Sequence, residues 1–254
     1  MIKPNTLKAR LRRGETTIGA WVNFGSPDAA EILAHMGLDW LVFDTEHGPW
    51  SMETVQRQIQ ATAGTEIVPL VRVAWNDAVM IKRALDIGAY GVVVPWVNNR
   101  AQAEQAVRAS RYAPEGVRGC GPRRCAKYGL EREEYVAVAN ELVMVIAQVE
   151  TQEAVDNLAD ICSVEGIDAV FIGPSDLACS LGLKGDKRHP RNLQTIARIL
   201  EVGKAHNTPV GIYGLGPEQI EEHIRQGFQF VVVGSDMSLM MHGLRDIFKR
   251  IGRN

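Results

Sequence analysis

Eight short apolar runs, each followed by a helical pattern, constrain this chain more than any other feature of it. The runs fall at residues 17–24, 41–44, 67–73, 91–97, 143–149, 169–172, 209–213 and 230–233. Runs of this length without polar alternation are strands buried on both faces. Ser26-Pro27-Asp28 and Ser51 carry helix-cap chemistry. Asn76-Asp77 opens a helix to residue 87, and further helical patterns cover 100–110, 131–140, 151–160, 190–206, 217–226 and 237–250. Eight strand–helix units with no linker between them predict one α/β domain over residues 1–254, a (β/α)8 barrel. A doubly wound open sheet is the competing fold, but Gly25-Ser-Pro follows the first strand where a G-x-G-x-x-G fingerprint would stand.

Composition narrows the partners. A formal net charge of −2 argues against nucleic acid or an anionic membrane surface. No apolar run approaches the roughly 18 residues of a spanning helix. The N-terminus has a basic flank with no apolar core behind it, unlike a signal peptide, and Lys8, Arg10, Arg12 and Arg13 form the solvated face of a leading helix. Cys120, Cys125, Cys162 and Cys179 show no C-x-x-C spacing, which fits free thiols in a reducing cytoplasm.

Ligands of a parallel barrel bind at the C-terminal ends of its strands. Four strands here end in charged or imidazole groups. Leu41-Val-Phe runs into Asp44, Thr45, Glu46 and His47 before Gly48-Pro49; the third run ends at Arg72, the fifth at Glu150, and the sixth at Gly173-Pro-Ser-Asp176. Such a group closing a buried strand is costly unless it meets a partner or an ion. Glu150 and Asp176 lie one unit apart, and two close carboxylates repel unless one is protonated or a cation lies between them. Oxygen-only ligation suits Mg2+ or Mn2+. The competing reading pairs one of them with Arg72 across the mouth.

The turn from Gly173 to Leu177 offers backbone N–H groups of Asp176 and Leu177, helped by the Ser175 hydroxyl, to a substrate carboxylate; Pro174 has no N–H to give. Two long loops, 111–129 and 182–189, would meet the rest of the substrate. The first would bring Arg118, Arg123 and Arg124 beside the mouth, where they suit an acidic acceptor, or leave them to solvent or a subunit contact. Gly211-Ile-Tyr-Gly-Leu-Gly216 either cradles a phosphate or allows close packing. No lysine ends a strand, which disfavours Schiff-base chemistry.

Phe43-Asp-Thr-Glu-His-Gly48, Val71-Arg-Val, Gln148-Val-Glu-Thr151 and Phe171-Ile-Gly-Pro-Ser-Asp-Leu177 resemble the metal-dependent class II pyruvate aldolases of the HpcH/HpaI type. Members of that family include 4-hydroxy-2-oxoheptanedioate aldolase and 2-dehydro-3-deoxyglucarate aldolase. Trp75-Asn-Asp77, Gly91-Val-Val-Val-Pro95, Arg118-Gly-Cys-Gly121 and Val233-Gly-Ser-Asp236 extend the likeness over nearly the whole chain. The resemblance implies a barrel whose C-terminal helix is exchanged between subunits of a homo-hexamer. It makes Glu150 and Asp176 the ligands of a divalent metal (Mg2+, Mn2+ or Co2+), His47 part of the acid/base machinery, and Arg72 the group beside the keto oxygen. An aspartate would orient His47, with Asp44 and Asp86 as candidates, the latter from a neighbouring subunit. Gln148 and the turn at Gly173, Pro174, Ser175, Asp176 and Leu177 would touch substrate, and Glu46 would face either a metal-bound water or Arg72. The implied reaction is reversible cleavage of a 4-hydroxy-2-oxo acid to pyruvate and an aldehyde. A related carbon–carbon lyase acting on an acyl-CoA thioester and a non-catalytic barrel are the competing readings.

Overall fold

The computed structural model describes residues 2–253. Eight parallel strands close into a barrel in sequence order, with β8 returning to β1. They are β1 (Thr17–Val22), β2 (Trp40–Asp44), β3 (Val68–Arg72), β4 (Gly91–Val94), β5 (Met144–Val149), β6 (Ala169–Ile172), β7 (Val210–Tyr213) and β8 (Phe230–Ser235). Around them run α1 (Thr6–Arg12), α2 (Pro27–Ala34), α3 (Met52–Ala61), α4 (Ala78–Asp86), α5 (Arg100–Ser110) and α6 (Arg132–Leu142). The second half of the ring is α7 (Gln152–Asp156), α8 (Leu158–Cys162), α9 (Pro174–Ser180), α10 (Pro190–Ala205), α11 (Pro217–Gln226) and α12 (Asp236–Arg250).

The alternation of side chains along each strand divides the core in two. Leu41, Phe43, Val71, Val92 and Val145 face outward against the helices. Trp40, Val42, Leu70, Ile146, Phe171 and Phe230 fill the interior, where Trp40 stacks on Phe230 at 3.8 Å between centroids. Helix α1 plugs the N-terminal end of the barrel with Leu7 and Leu11.

Several boundaries differ from expectation for local reasons. Strand β4 stops at Val94 because Pro95 lacks an N–H and Trp96 takes a left-handed backbone, φ 55°. Strand β1 stops at Val22, where the N–H groups of Asn23 and Phe24 turn to the Asp236 carboxylate (2.9 Å each). The helical stretch after β5 breaks at Asn157 into α7 and α8. Lys8 is a larger correction: it is buried, not solvated, with Nζ 3.2 Å from Asp168 and 2.9 Å from the Val143 carbonyl. Arg10 likewise pairs with Asp39 and Glu15.

Candidate active site

The strand pleat builds the site. Since Trp21, Val42, Leu70, Ile146 and Phe171 point inward, so do the residues two positions on: Asn23, Asp44, Arg72, Gln148 and Gly173. They form the top interior layer of the barrel. Register places Asp44 beside Arg72 on adjacent strands. Arg72 donates Nε to Asp44 Oδ1 (2.9 Å) and Nη2 to Oδ2 (2.6 Å), a bidentate pair. Asn23 Nδ2 and the backbone N–H groups of Glu46 and His47 also donate to the Asp44 carboxylate. Asp44 is therefore saturated and clamps both the guanidinium and the turn that carries His47. It holds His47 by its backbone and has nothing left for the imidazole.

Glu46 lies 3.0 Å from Arg72 Nη1, an ion pair that places it on the Arg72 side of the site. Burial pushes its carboxyl above the usual range, with Arg72 opposing and the charges of Asp44 and Asp176 adding to the rise. With Arg72 committed to Asp44 and Glu46, no bridge from it to Glu150 or Asp176 forms. Among the described residues neither of those two carboxylates has a cationic ion-pair partner.

Glu150 is buried, and its Oε1 accepts the Trp96 N–H at 3.0 Å while Oε2 accepts from Gln148 Nε2. The left-handed backbone of Trp96 aims that N–H. Burial pushes the Glu150 carboxyl up to about 7, the two hydrogen bonds opposing and the charges of Glu46 and Asp176 adding to the rise. A β-carbon on Gly173 would sit 2.6 Å from Glu150 Oε2, so glycine alone leaves room where the two carboxylate-bearing segments approach. Gln148 Oε1 is buried without a partner. Close, uncompensated carboxylates and an orphaned amide oxygen fit a hard divalent cation. No group of three or more His, Cys, Asp or Glu is poised as a metal cluster among the described residues, so Glu150 and Asp176 would be a sparse ligand set.

Helix α9 begins at Pro174, and the Leu177 N–H closes its first turn on the Gly173 carbonyl at 2.9 Å. That corrects the anion-binding pair: the free donors are Ser175 and Asp176, not Leu177. His47, Arg72, Gln148, Gly173, Ser175 and Asp176 share one cavity of about 930 Å3, with the exposed His47 imidazole on its wall. Lys187 and Arg188 line it too, and no strand-tip signal pointed to them. Their place after β6, on the face where strands end, was the available clue.

Arg118, Arg123 and Arg124 are not beside this mouth. Their segment joins α5 to β5, and helix-to-strand connections lie at the opposite, N-terminal face of a barrel. There Arg118 is buried, donating to Asp86 at 2.7 Å and stacking 4.5 Å over the Tyr112 ring; Arg124 donates to the Ile87 carbonyl, and Arg123 is exposed. Asp86, at the end of α4, shares that face and lies away from His47 of its own chain. Within β7, Gly211 is wedged between Phe171 and Phe230, each 2.7 Å from where its β-carbon would stand, and just after the strand a β-carbon on Gly214 would sit 2.6 Å from Ile220; both are close packing.

The model of the HpcH/HpaI aldolase/citrate lyase family matches residues 17–243. A 5-keto-4-deoxy-D-glucarate aldolase of Escherichia coli O157:H7 is 39% identical over 250 residues, covering 97% of this chain and 98% of that one. Its counterpart from Salmonella paratyphi A is 40% identical over 252 residues, 98% of each chain. Among solved structures, an aldolase/citrate lyase family protein from Burkholderia cenocepacia superposes with a TM-score of 0.93 at 37% identity, covering 97% of this chain and 99% of that one. The citrate synthase SbnG superposes with a TM-score of 0.84 at 33% identity, 97% of each chain. By sequence and by architecture, the chain belongs to the HpcH/HpaI aldolase/citrate lyase family.

Proposed function

We propose that this carbon–carbon lyase is a divalent-metal-dependent class II aldolase. It would cleave a 4-hydroxy-2-oxo acid of the 5-keto-4-deoxy-D-glucarate kind to pyruvate and an aldehyde. The observation that carries this reading is the pair Glu150 and Asp176, left without a cationic partner beside an arginine clamped for an oxyanion. Glu150 and Asp176 would hold Mg2+, Mn2+ or Co2+, which when bound draws electron density from the keto carbon as a Lewis acid.

The chain's own groups do the rest. The N–H groups of Ser175 and Asp176 hold the substrate carboxylate. His47 takes the proton of the C4 hydroxyl; the C3–C4 bond breaks, the aldehyde leaves, and its electron pair passes into the C2–C3 enolate. Arg72, held edge-on by Asp44, stabilises the enolate oxygen, and protonation at C3 gives pyruvate. With Asp44 engaged, the orienting carboxylate for His47 is Asp86 of the partner subunit. That requires a homo-oligomer, and the hexamer with an exchanged α12 supplies one; the apolar, exposed α12 supports it. The four cysteines are free thiols, which supports a reducing cytoplasm. No helix among the described residues is long and apolar enough to cross a membrane.

Proton exchange of the pyruvate methyl group in D2O tests enolate formation without knowledge of the aldehyde. Exchange is expected with Mg2+, Mn2+ or Co2+ and not after chelation, and Arg72→Lys should slow it about 10²–10³-fold. No exchange with any of the three ions would refute the reading.

A further inference from the structure

We infer that Lys187 and Arg188 hold a carboxylate at the far end of the acceptor, so that the enzyme prefers acidic aldehydes over neutral ones. This rests on the aldolase reading. Both residues line the cavity that contains His47 and Arg72, and both come from the loop between α9 and α10 on the face where the strands end.

The loop is fixed to the substrate-binding turn. Asn192 is completely buried and its Nδ2 donates both to the Lys187 carbonyl (3.1 Å) and to the Pro174 carbonyl (3.3 Å). One amide thus ties the two cations to the segment that carries Ser175 and Asp176. Asp186 accepts the Arg188 N–H at 3.0 Å and shapes the turn that presents them.

Charge accounting in the cavity points the same way. Arg72 is paired with Asp44 and Glu46, and the exposed Lys204, in the last turn of α10, is spent on the Gln226 carbonyl; of the carboxylates on the wall, Glu222 pairs with Arg225, while Asp176 and Glu201 come from α9 and α10 outside the 182–189 loop. Among the described residues Lys187 and Arg188 have no ion-pair partner. Two adjacent free cations can give a neutral hydroxyaldehyde only ordinary hydrogen bonds, without charge pairing. They would bind a distal carboxylate through charge-assisted hydrogen bonds and draw it toward the mouth.

The test compares kcat/KM for aldol addition of pyruvate to succinate semialdehyde and to glycolaldehyde, in the metal-loaded enzyme. Replacing both cations (Lys187→Ala with Arg188→Ala) should lower the acidic-to-neutral ratio about 10–100-fold, chiefly through KM for the acid. Lys187→Glu with Arg188→Glu, which reverses both charges, should lower it further. Lys184→Gly removes a charge from the same loop away from the cavity, at a left-handed backbone (φ 51°) that glycine accepts, and should leave the ratio unchanged. Equal losses for both aldehydes, or an unchanged ratio in the double variant, would overturn the assignment. Absence of metal-dependent pyruvate proton exchange in the unmodified enzyme would instead overturn the aldolase reading, and this inference with it.

Discussion

Glu150 shows how one residue trades stability for function. Its carboxyl sits at about 7 in the fold against an ordinary 4.5, because burial opposes its charge. Below pH 4.5 both folded and unfolded states bind the proton and nothing is lost. Between about 5 and 7 the unfolded chain ionises more readily, so stability falls, and above 7 the penalty is complete at about 3 kcal/mol. Metal binding would remove it, since a divalent cation favours the charged form. Glu150→Gln should therefore raise the stability of the chelated protein by about 2–3 kcal/mol more at pH 8 than at pH 5, while abolishing metal-dependent exchange. Urea midpoints at the two pH values check this; equal shifts at both would contradict it. The strand-tip residues were legible in the chain because each ends an apolar run. The Arg72–Asp44 pair was not, since the two lie 28 positions apart and meet only through strand register.

At the scale of elements, α12 meets β1 and β8 near its start and is uncovered beyond it. Asp236 anchors its first turn to the end of β1, and beyond it Met240, Met241, Leu244, Ile247 and Phe248 are exposed. An apolar face of that extent marks an interaction surface. If α12 is exchanged between subunits, Leu244→Arg with Ile247→Arg should convert the oligomer to smaller species by light scattering, with the barrel still folded by circular dichroism. An unchanged mass would refute the exchange. The eight units were legible because apolar runs and helical periodicity are local properties. Which side of the barrel each loop serves is not local: the arginines of 111–129 lie on the way from α5 to β5 and fall on the far face, while Lys187 and Arg188 lie between α9 and α10, on the way out of β6, and line the cavity at the mouth.

The whole molecule is closed at its other end by α1, and the buried Lys8–Asp168 pair is the most enclosed of the ion pairs that hold the plug. Lys8 and Asp168 are both nearly enclosed, and burial pulls the lysine down and pushes the aspartate up even though each favours the charge of the other. Breaking such a pair leaves the buried Asp168 charge with only the Val145 N–H and the longer contact to Arg12 at 3.7 Å. Lys8→Met should cost about 3 kcal/mol and lower Tm by about 6–12 °C at pH 7. Adding Asp168→Asn should recover part of that loss in thermal unfolding, and no recovery would mean that the unpaired charge is not its source. The basic run Lys8, Arg10, Arg12 and Arg13 suggests a solvated helix face, because nothing in seven residues of helix shows that a barrel floor lies beneath it. Contiguous residues alone dictate the alternation of strands and helices and the chemistry at the strand tips. Ring closure and pleat decided the rest: which tips face one another, which partner neutralises Arg72, and which loop reaches the mouth, because those contacts join residues that only the closed barrel brings together.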